Sequence, residues 1–281
     1  MVRKNPRLKN AVAYVVLVAL GFIMIYPLIW MFFACFKTNN EMFASIALFP
    51  KNPVMTSFSS GWYSIKQQSF TTFYKNTLLI TVPTVLFTVF SSLLTAYGVT
   101  RFHFRLKKLI TAMVIGTVML PSAILIIPRY ILFYKLGWLN TYLPFIVPSM
   151  FAIHSFYVFM MFQFVRGIPK ELDEAALIDG CSYFGILWRI IAPLSKPSLF
   201  TVGVFQFMST WNDFNNSLIY ITSVEKYPVS LALRLVIDST SDVQWNQIMA
   251  MSFVSILIPV ILYFFAQRYF VEGVATSGIK G

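Results

Sequence analysis

Six apolar runs, at residues 11–36, 72–98, 109–134, 143–165, 199–221 and 247–268, occupy most of the chain. Each is long enough to cross a hydrocarbon core of about 30 Å as a helix. The expected fold is therefore all-α, a polytopic membrane protein with six transmembrane helices. The composition agrees, with 58% hydrophobic residues, 11% charged and a mean hydropathy of +0.71, far more apolar than a soluble domain. A net charge of +12 does not point to nucleic acid, because the basic residues sit in short clusters between apolar runs, as topology signals do. The surrounding partner is lipid.

Those clusters orient the chain. With the N-terminus inside, four Lys/Arg fall in the N-terminal tail, four in residues 101–108, four in 166–196 and two in the C-terminal tail, fourteen of the 22. Both termini are expected in the cytoplasm. The first run follows Arg3, Lys4, Arg7 and Lys9 like a signal peptide. It exceeds the roughly 7–15 apolar residues of such a peptide, and no A-x-A site follows, so it reads as a retained anchor. The hydropathy gives a single membrane domain over 1–281, with an outer loop at about 37–71 and a cytoplasmic loop at about 166–198. Pro27, Pro83, Pro121, Pro128, Pro144, Pro148 and Pro259 fall within or beside the spans and are expected to bend them. Two cysteines support no disulfide framework. Cys35 near the outer face and Cys181 in the cytoplasmic loop are expected to be free thiols, each reached from its own side.

Between the fourth and fifth runs lies a polar segment, Glu174-Ala175-Ala176-Leu177-Ile178-Asp179-Gly180, followed after nine residues by Ile190-Ile191-Ala192-Pro193. Ala175 and Ala176 are small and favour helix, so a partner can approach closely. Gly180 can take the left-handed backbone that ends a helix, and Pro193 interrupts the next one. This predicts a helix-turn-helix docking surface. It resembles the EAA loop of ABC importer permeases, E-A-A, three residues, G, nine residues, I-x-L-P, with Ala192 in place of the Leu.

Further segments are similar to the carbohydrate branch of that family, which contains the maltose permease subunits. Ala96-Tyr97-Gly98-Val99-Thr100-Arg101 resembles A-Y-A-x-S-R. Ile127-Pro128-Arg129-Tyr130 resembles I-P-L-Y, and Leu136-Gly137-Trp138-Leu139-Asn140-Thr141 resembles L-G-L-x-N-T. Ile168-Pro169-Lys170-Glu171-Leu172 enters the loop as S-I-P-K-E-L does, while Gln267 to Gly273 and Ser277 to Gly281 resemble Q-R-Y-F-V-x-G and G-A-V-K-G. The resemblance is to the shorter, six-helix subunit and the type I importer permease fold. It implies a multi-pass subunit of a bacterial or archaeal inner membrane, importing an oligosaccharide with a second permease chain in a heterodimer. Two ATPase subunits and an extracytoplasmic sugar-binding protein complete the assembly. It also implies that Glu174, Ala175, Ala176, Asp179, Gly180 and Pro193 couple to the ATPase, with ATP and Mg bound there.

The residues agree that the motor is elsewhere. No G-x-x-x-x-G-K-[ST] loop is present to cradle a nucleotide. H-E-x-x-H, G-x-S-x-G and C-x-x-C are absent too, so no catalytic residue, cofactor or metal ligand is expected and the chain is not read as an enzyme. His103 lies in a basic loop, and His154, inside the fourth run, is expected to serve helix packing. The fifth run carries a polar stripe at helical spacing, Gln206, Ser209 or Thr210, Asp213 and Asn216 or Ser217. A carboxylate at membrane depth costs about 2.5–3.5 kcal/mol on insertion scales, so the stripe should face protein or water. Gln206, Ser209, Asp213 and Asn216 are candidates for a translocation path, with Phe207 and Trp211 as stacking surfaces, or else for contacts between two permease chains. Two alternatives remain: the same machinery carrying a glycerol phosphate or uronate oligomer, with Arg129 as anion contact, and an ion-coupled secondary transporter.

Overall fold

The computed structural model describes residues 6–63, 68–239 and 243–277. They form fifteen helices: α1 (Pro6–Ala34), α2 (Asn39–Ala44), α3 (Ser57–Trp62), α4 (Phe70–Arg101), α5 (Lys107–Val118), α6 (Ile126–Lys135), α7 (Leu143–Met150), α8 (Ser155–Gly167), α9 (Glu171–Ile178), α10 (Tyr183–Ile186), α11 (Ala192–Leu194), α12 (Lys196–Trp211), α13 (Phe214–Tyr220), α14 (Val229–Ser239) and α15 (Trp245–Ser277). The all-α expectation holds. The last four residues, part of the terminal motif noted above, lie outside the described residues.

The expected spans take two forms. Four segments are long and apolar enough to cross a membrane, Asn10–Ala34, Phe70–Arg101, Leu143–Gly167 and Trp245–Gln267, the third of them interrupted at residues 151–154 between α7 and α8. Two bent pairs also pass by length and composition: Lys107–Val118 with Ser122–Lys135 at 105° over the third run, and Tyr183–Leu194 with Lys196–Trp211 at 75°, whose first half lies in the expected loop at 166–198 and whose second half stops short of the fifth run's expected end at 221. The third run is therefore broken, not straight. Pro121 has no N–H to continue the ladder, and the amides of Met119 and Leu120 tighten onto Gly116 and Thr117 just before it. By contrast, α1, α4 and α15 run unbroken through Pro27, Pro83 and Pro259. Composition alone could not separate these cases.

The chain divides into two compact units, residues Met1–Phe70 with Leu233–Leu257, and Thr71–Ala232 with Ile258–Gly281. In the first, no residue in the apolar window of α1 is buried, as a lipid-facing helix requires. Its end is pinned by Phe32, Phe33 and Phe36, whose rings meet Phe253, Phe49 and Phe58 respectively. The segment after α1 folds into α2 and α3, with Thr38 capping α2. Asn39 bonds both sides of the turn into α15, donating to Val243 O and accepting from Trp245 N. Cys35 is buried, its thiol donating to Met31 O, so the expectation of an accessible thiol there fails. Cys181 is half-buried and free.

In the second unit, α4 carries a stripe of buried hydroxyls, Thr77, Thr81, Thr84, Thr88 and Ser91. Steps of three and four place them on one helical face. Small residues let backbones approach closely in a membrane, and the stripe bonds across to neighbouring chain: Thr84 to Phe145 O, Ser91 to Ser149 O, and Thr77 accepting from Val229 N. One apolar core joins Leu93, Ala96 and Tyr97 of α4 to Met161 and Val165 of α8, Ile186, Leu187 and Ile191 of the α9–α11 loop, and Val202 of α12. A second core, about 20 Å away along α4 by helical rise, gathers Ile80, Phe133, Phe145, Tyr220 and Ile221. Asn140, left-handed at φ 57°, clamps that end by accepting from Thr222 N and Ser223 N and donating to Ser223 Oγ.

Candidate functional site: a docking loop and a polar cavity

The loop at 166–198 folds as a helix, a turn and a second helix. Helix α9 begins with Glu171, Asp173 and Glu174 in its first turn, where carboxylates suit the positive end of the helix dipole. It ends in a complete Schellman motif: Gly180 at φ +80°, its amide bonded to Leu177 O and that of Cys181 to Ala176 O. A Cβ on Gly180 would meet nothing within 4 Å, so the backbone angle alone demands glycine there. Ser182 then caps α10, accepting from Gly185 N. Pro193 acts differently from expectation. Lacking an N–H for Arg189, it is preceded by a π-helical turn at Leu187–Ile191, in which Ala192 N reaches back to Leu187 O. The 75° break comes only at Ser195.

This loop is rigidly seated. Arg101 at the end of α4 places Nε 2.6 Å from Asp173 Oδ2, with the two side chains 5% and 13% exposed. The same guanidinium donates to Ile168 O, and Tyr97 one turn earlier donates its hydroxyl to Tyr183 O. Two residues of the A-Y-x-x-x-R segment thus hold both arms of the loop. Burial pushes the Asp173 carboxyl above its usual 3.8, and the adjoining Arg101 offsets only part of this. The outward face remains free: Glu174, Ala175, Asp179, Gly180 and Pro193 are exposed, whereas Ala176 packs half-buried against the core. Beside them stand Ile178 at 87% exposed and Phe184 at 68%, an apolar pair with an acidic rim.

Gln206, Ser209, Asp213 and Asn216 all line one cavity of about 240 Å³, together with Thr84, Arg129, His154, Thr210 and Tyr220. They do not share a single helix, as the stripe supposed. Helix α12 stops at Trp211, and Asp213 caps α13, accepting from Asn216 N and from Asn216 Nδ2 through both oxygens. Gln206 Nε2 donates to Thr210 Oγ1 at 2.7 Å. Among the described residues, its Oε1 and the Tyr220 hydroxyl are buried without a partner. Phe207 and Trp211 stack on each other at 5.3 Å and line no part of this cavity; its aromatic wall is Phe133, Phe145 and Tyr220. His154 lines the cavity and packs its ring against Tyr157 of α8 at 6.0 Å, and among the described residues no hydrogen bond holds that ring. Thr84 escaped the sequence reading, although the hydroxyl periodicity of α4 was there to be seen.

Residues 87–276 match the family model described as binding-protein-dependent transport system inner membrane component. The chain is 32% identical over 256 residues to the probable ABC transporter permease protein YurM of Bacillus subtilis, covering 91% of this chain and 84% of that one. It is 29% identical to the trehalose/maltose transport system permease protein MalG of Thermococcus litoralis, over 98% of both chains. Its fold is that of a chain in a bacterial ABC transporter involved in import of the acidic polysaccharide alginate, with a TM-score of 0.82, 21% identity, and coverage of 96% and 99%. The chain belongs to the family of inner membrane components of binding-protein-dependent transport systems, and is a multi-pass permease, not an enzyme.

Proposed function

We propose that this permease is one half of the membrane pore of an ATP-driven oligosaccharide importer, with a different permease chain as the other half. Relatives named for trehalose/maltose and arabinooligosaccharide transport support the solute class. The observation that carries the reading is the cavity. A buried amide oxygen and a buried phenol without partners are costly, and a solute rich in hydroxyls satisfies both while Asp213 and Ser209 offer further acceptors. Gln206, Ser209, Asp213 and Asn216 are read as translocation path.

The exposed face of α9 and α10 is read as the surface that seats in an ATPase subunit. Glu174 and Asp179 meet basic or amide groups there, Ala175 and Gly180 permit close approach, and Ile178 and Phe184 fill an apolar groove. Two ATPase subunits bind ATP and Mg, an extracytoplasmic binding protein delivers the sugar, and the whole chain acts as one transmembrane domain with both termini in the cytoplasm. Because Arg101 and Tyr97 fix the loop to α4, movement of the docked loop moves α4, whose Thr84 lines the cavity. A two-state pore needs such a stiff link.

A second reading keeps the machinery and changes the solute. Arg129 lines the cavity, and among the described residues no carboxylate pairs with it, which favours a uronate oligomer or a glycerol phosphate. Reconstituted importer offered neutral and uronic oligosaccharides on its binding protein separates the two. Preference for the uronic sugar that vanishes in Arg129→Leu selects the second; uptake of the neutral sugar alone selects the first.

A further inference from the structure

Where α4 ends, α5 begins and α8 ends, the second unit holds a pocket of about 290 Å³ lined by Arg101, Lys107, Arg166 and Lys170 with Val99, Thr100 and Phe162. Among the described residues no carboxylate lines it. Arg101 is paired with Asp173, whose charge also acts on Lys170, leaving an excess of positive charge facing one space. Lys107 is held in place, donating to Phe102 O at 3.2 Å and Thr100 O at 3.5 Å, with Nζ protons to spare. Converging cations in excess of the one carboxylate beside them repel one another, and a topology signal needs only their side of the membrane, not their convergence.

The pocket does not end in protein. Val99 and Phe162 also line a small crevice of about 10 Å³ between α4, α5 and α8, with Ala96, Thr111, Val114, Ile115 and Phe159 around it. The basic pocket is therefore flanked by a mostly apolar seam on the same helices. Helical rise puts Thr95, a wall of the crevice, about 9 Å from Arg101 along α4. The crevice is narrow, so an alkyl chain would lie along its edge, against Ile115, 45% exposed, instead of being swallowed.

We propose that this groove is a binding site for an anionic phospholipid, the phosphodiester held by Lys107, Arg166 and Lys170 and one acyl chain lying along the α5–α8 crevice. Guanidinium and ammonium groups supply charge-assisted hydrogen bonds to phosphate oxygens, and basic pockets between membrane helices suit acidic headgroups. A zwitterionic lipid brings its own ammonium against three cations and is disfavoured. The site shares Arg101 with the ion pair that seats the docking loop, so an occupied headgroup adds negative charge beside that pair. Nothing in this assignment depends on which solute is transported.

Native mass spectrometry and thermal unfolding of the delipidated permease complex test it, with dioleoylphosphatidylglycerol, dioleoylphosphatidylcholine or inorganic phosphate added in turn. One phosphatidylglycerol should be retained about tenfold or more in preference to phosphatidylcholine, and should raise the unfolding midpoint. The double variant Lys107→Gln/Arg166→Gln should lose that preference, the exposed single variant Lys170→Gln should weaken it, and Lys108→Gln, outside the pocket, should keep it. Should the double variant fail to assemble, the Lys170 and Lys108 variants still decide. Equal retention of both lipids would overturn the site, as would an unchanged preference in Lys170→Gln. A midpoint shift reproduced by inorganic phosphate alone would assign a plain anion site. Binding by the lone chain that disappears in the assembled complex would assign the groove to a protein partner.

Discussion

Asp173 of the docking loop sits 2.6 Å from Arg101 at the end of α4, and both side chains are nearly out of solvent. Seventy-odd residues of sequence separate them, yet this pair and the Tyr97 hydroxyl on Tyr183 O fix the loop to the longest helix of the second unit. A buried pair is not itself proof of stability, because desolvation opposes the attraction. Its two partners are nevertheless interdependent.

Removing one of them should therefore cost more than removing both. Arg101→Leu and Asp173→Leu should each destabilise the permease by about 3–5 kcal/mol, and the double variant by clearly less. Chemical or thermal unfolding of the four proteins gives the cycle. Additive losses would show that the two side chains do not interact.

The acidity of Asp173 makes a separate claim. Its carboxyl is raised, by burial first, and Arg101 opposes that rise. For a raised group the stabilising contribution is fully present below the unfolded value, here the usual 3.8, and is lost as pH rises through the folded value. Arg101→Leu should raise that value further, so its deficit should shrink on acidification from neutral pH toward the carboxylate range. In an Asp173→Asn background the same substitution should lose this pH dependence. The measurement is unfolding midpoint against pH for the two pairs.

At Gly180 the sequence argument and the geometry coincide. With φ at +80° and open space around the missing Cβ, the cost of a side chain is one of backbone alone. Gly180→Ala should cost about 1–2 kcal/mol, Gly180→Val more, and Gly180→Asn least, since Asn tolerates the left-handed region. Membrane insertion should survive while co-purification with the ATPase and coupled transport fall in that order. Wild-type coupling in Gly180→Val would remove the turn from the docking account.

Asp213 also caps α13, whichever of the proposed path and contacts between permease chains it serves. Asn caps nearly as well, whereas Ala loses about 0.5–2 kcal/mol. Asp213→Asn should thus keep complex stability and alter uptake or sugar preference, and Asp213→Ala should lower stability as well. A less stable Asp213→Asn complex with unchanged preference would assign the residue to assembly alone.

The thiols should also separate. A membrane-impermeant maleimide should modify Cys181 from the side bearing the docking loop and leave buried Cys35 unreacted from either side until the protein unfolds. Labelling of Cys181 from the outer face of sealed cells would reverse the orientation.

What was legible in the sequence follows a physical rule. Apolar length fixed where membrane helices form, and glycine chemistry fixed the turn at Gly180, because both are local. The break at Asn212-Asp213 was hidden in a run apolar enough to pass as one span, although Asp213 followed by Asn216 is a capping pattern. Gln206, Ser209, Asp213 and Asn216 line one cavity, but two helices and a cap bring them together where the spacing suggests a single stripe. Phe207 and Trp211 miss the cavity for a local reason: helical rotation turns them off the Gln206–Thr210 face of α12, and they stack on each other. The Arg101–Asp173 pair was out of reach, because nothing local says which of the basic residues near the loop will meet which acid.

The central claim is that this chain is a passive pore half driven through its loop by a separate ATPase. Proteoliposomes containing the permease pair, the ATPase and the sugar-loaded binding protein test it by uptake of labelled oligosaccharide, with and without ATP and with and without a proton or sodium gradient. The account predicts uptake that requires ATP and the ATPase, ignores the gradient, and fails when Glu174 and Gly180 are replaced together by Ala and Val in an otherwise intact membrane complex. Gradient-driven uptake without ATP, by the permease chains alone, would contradict it.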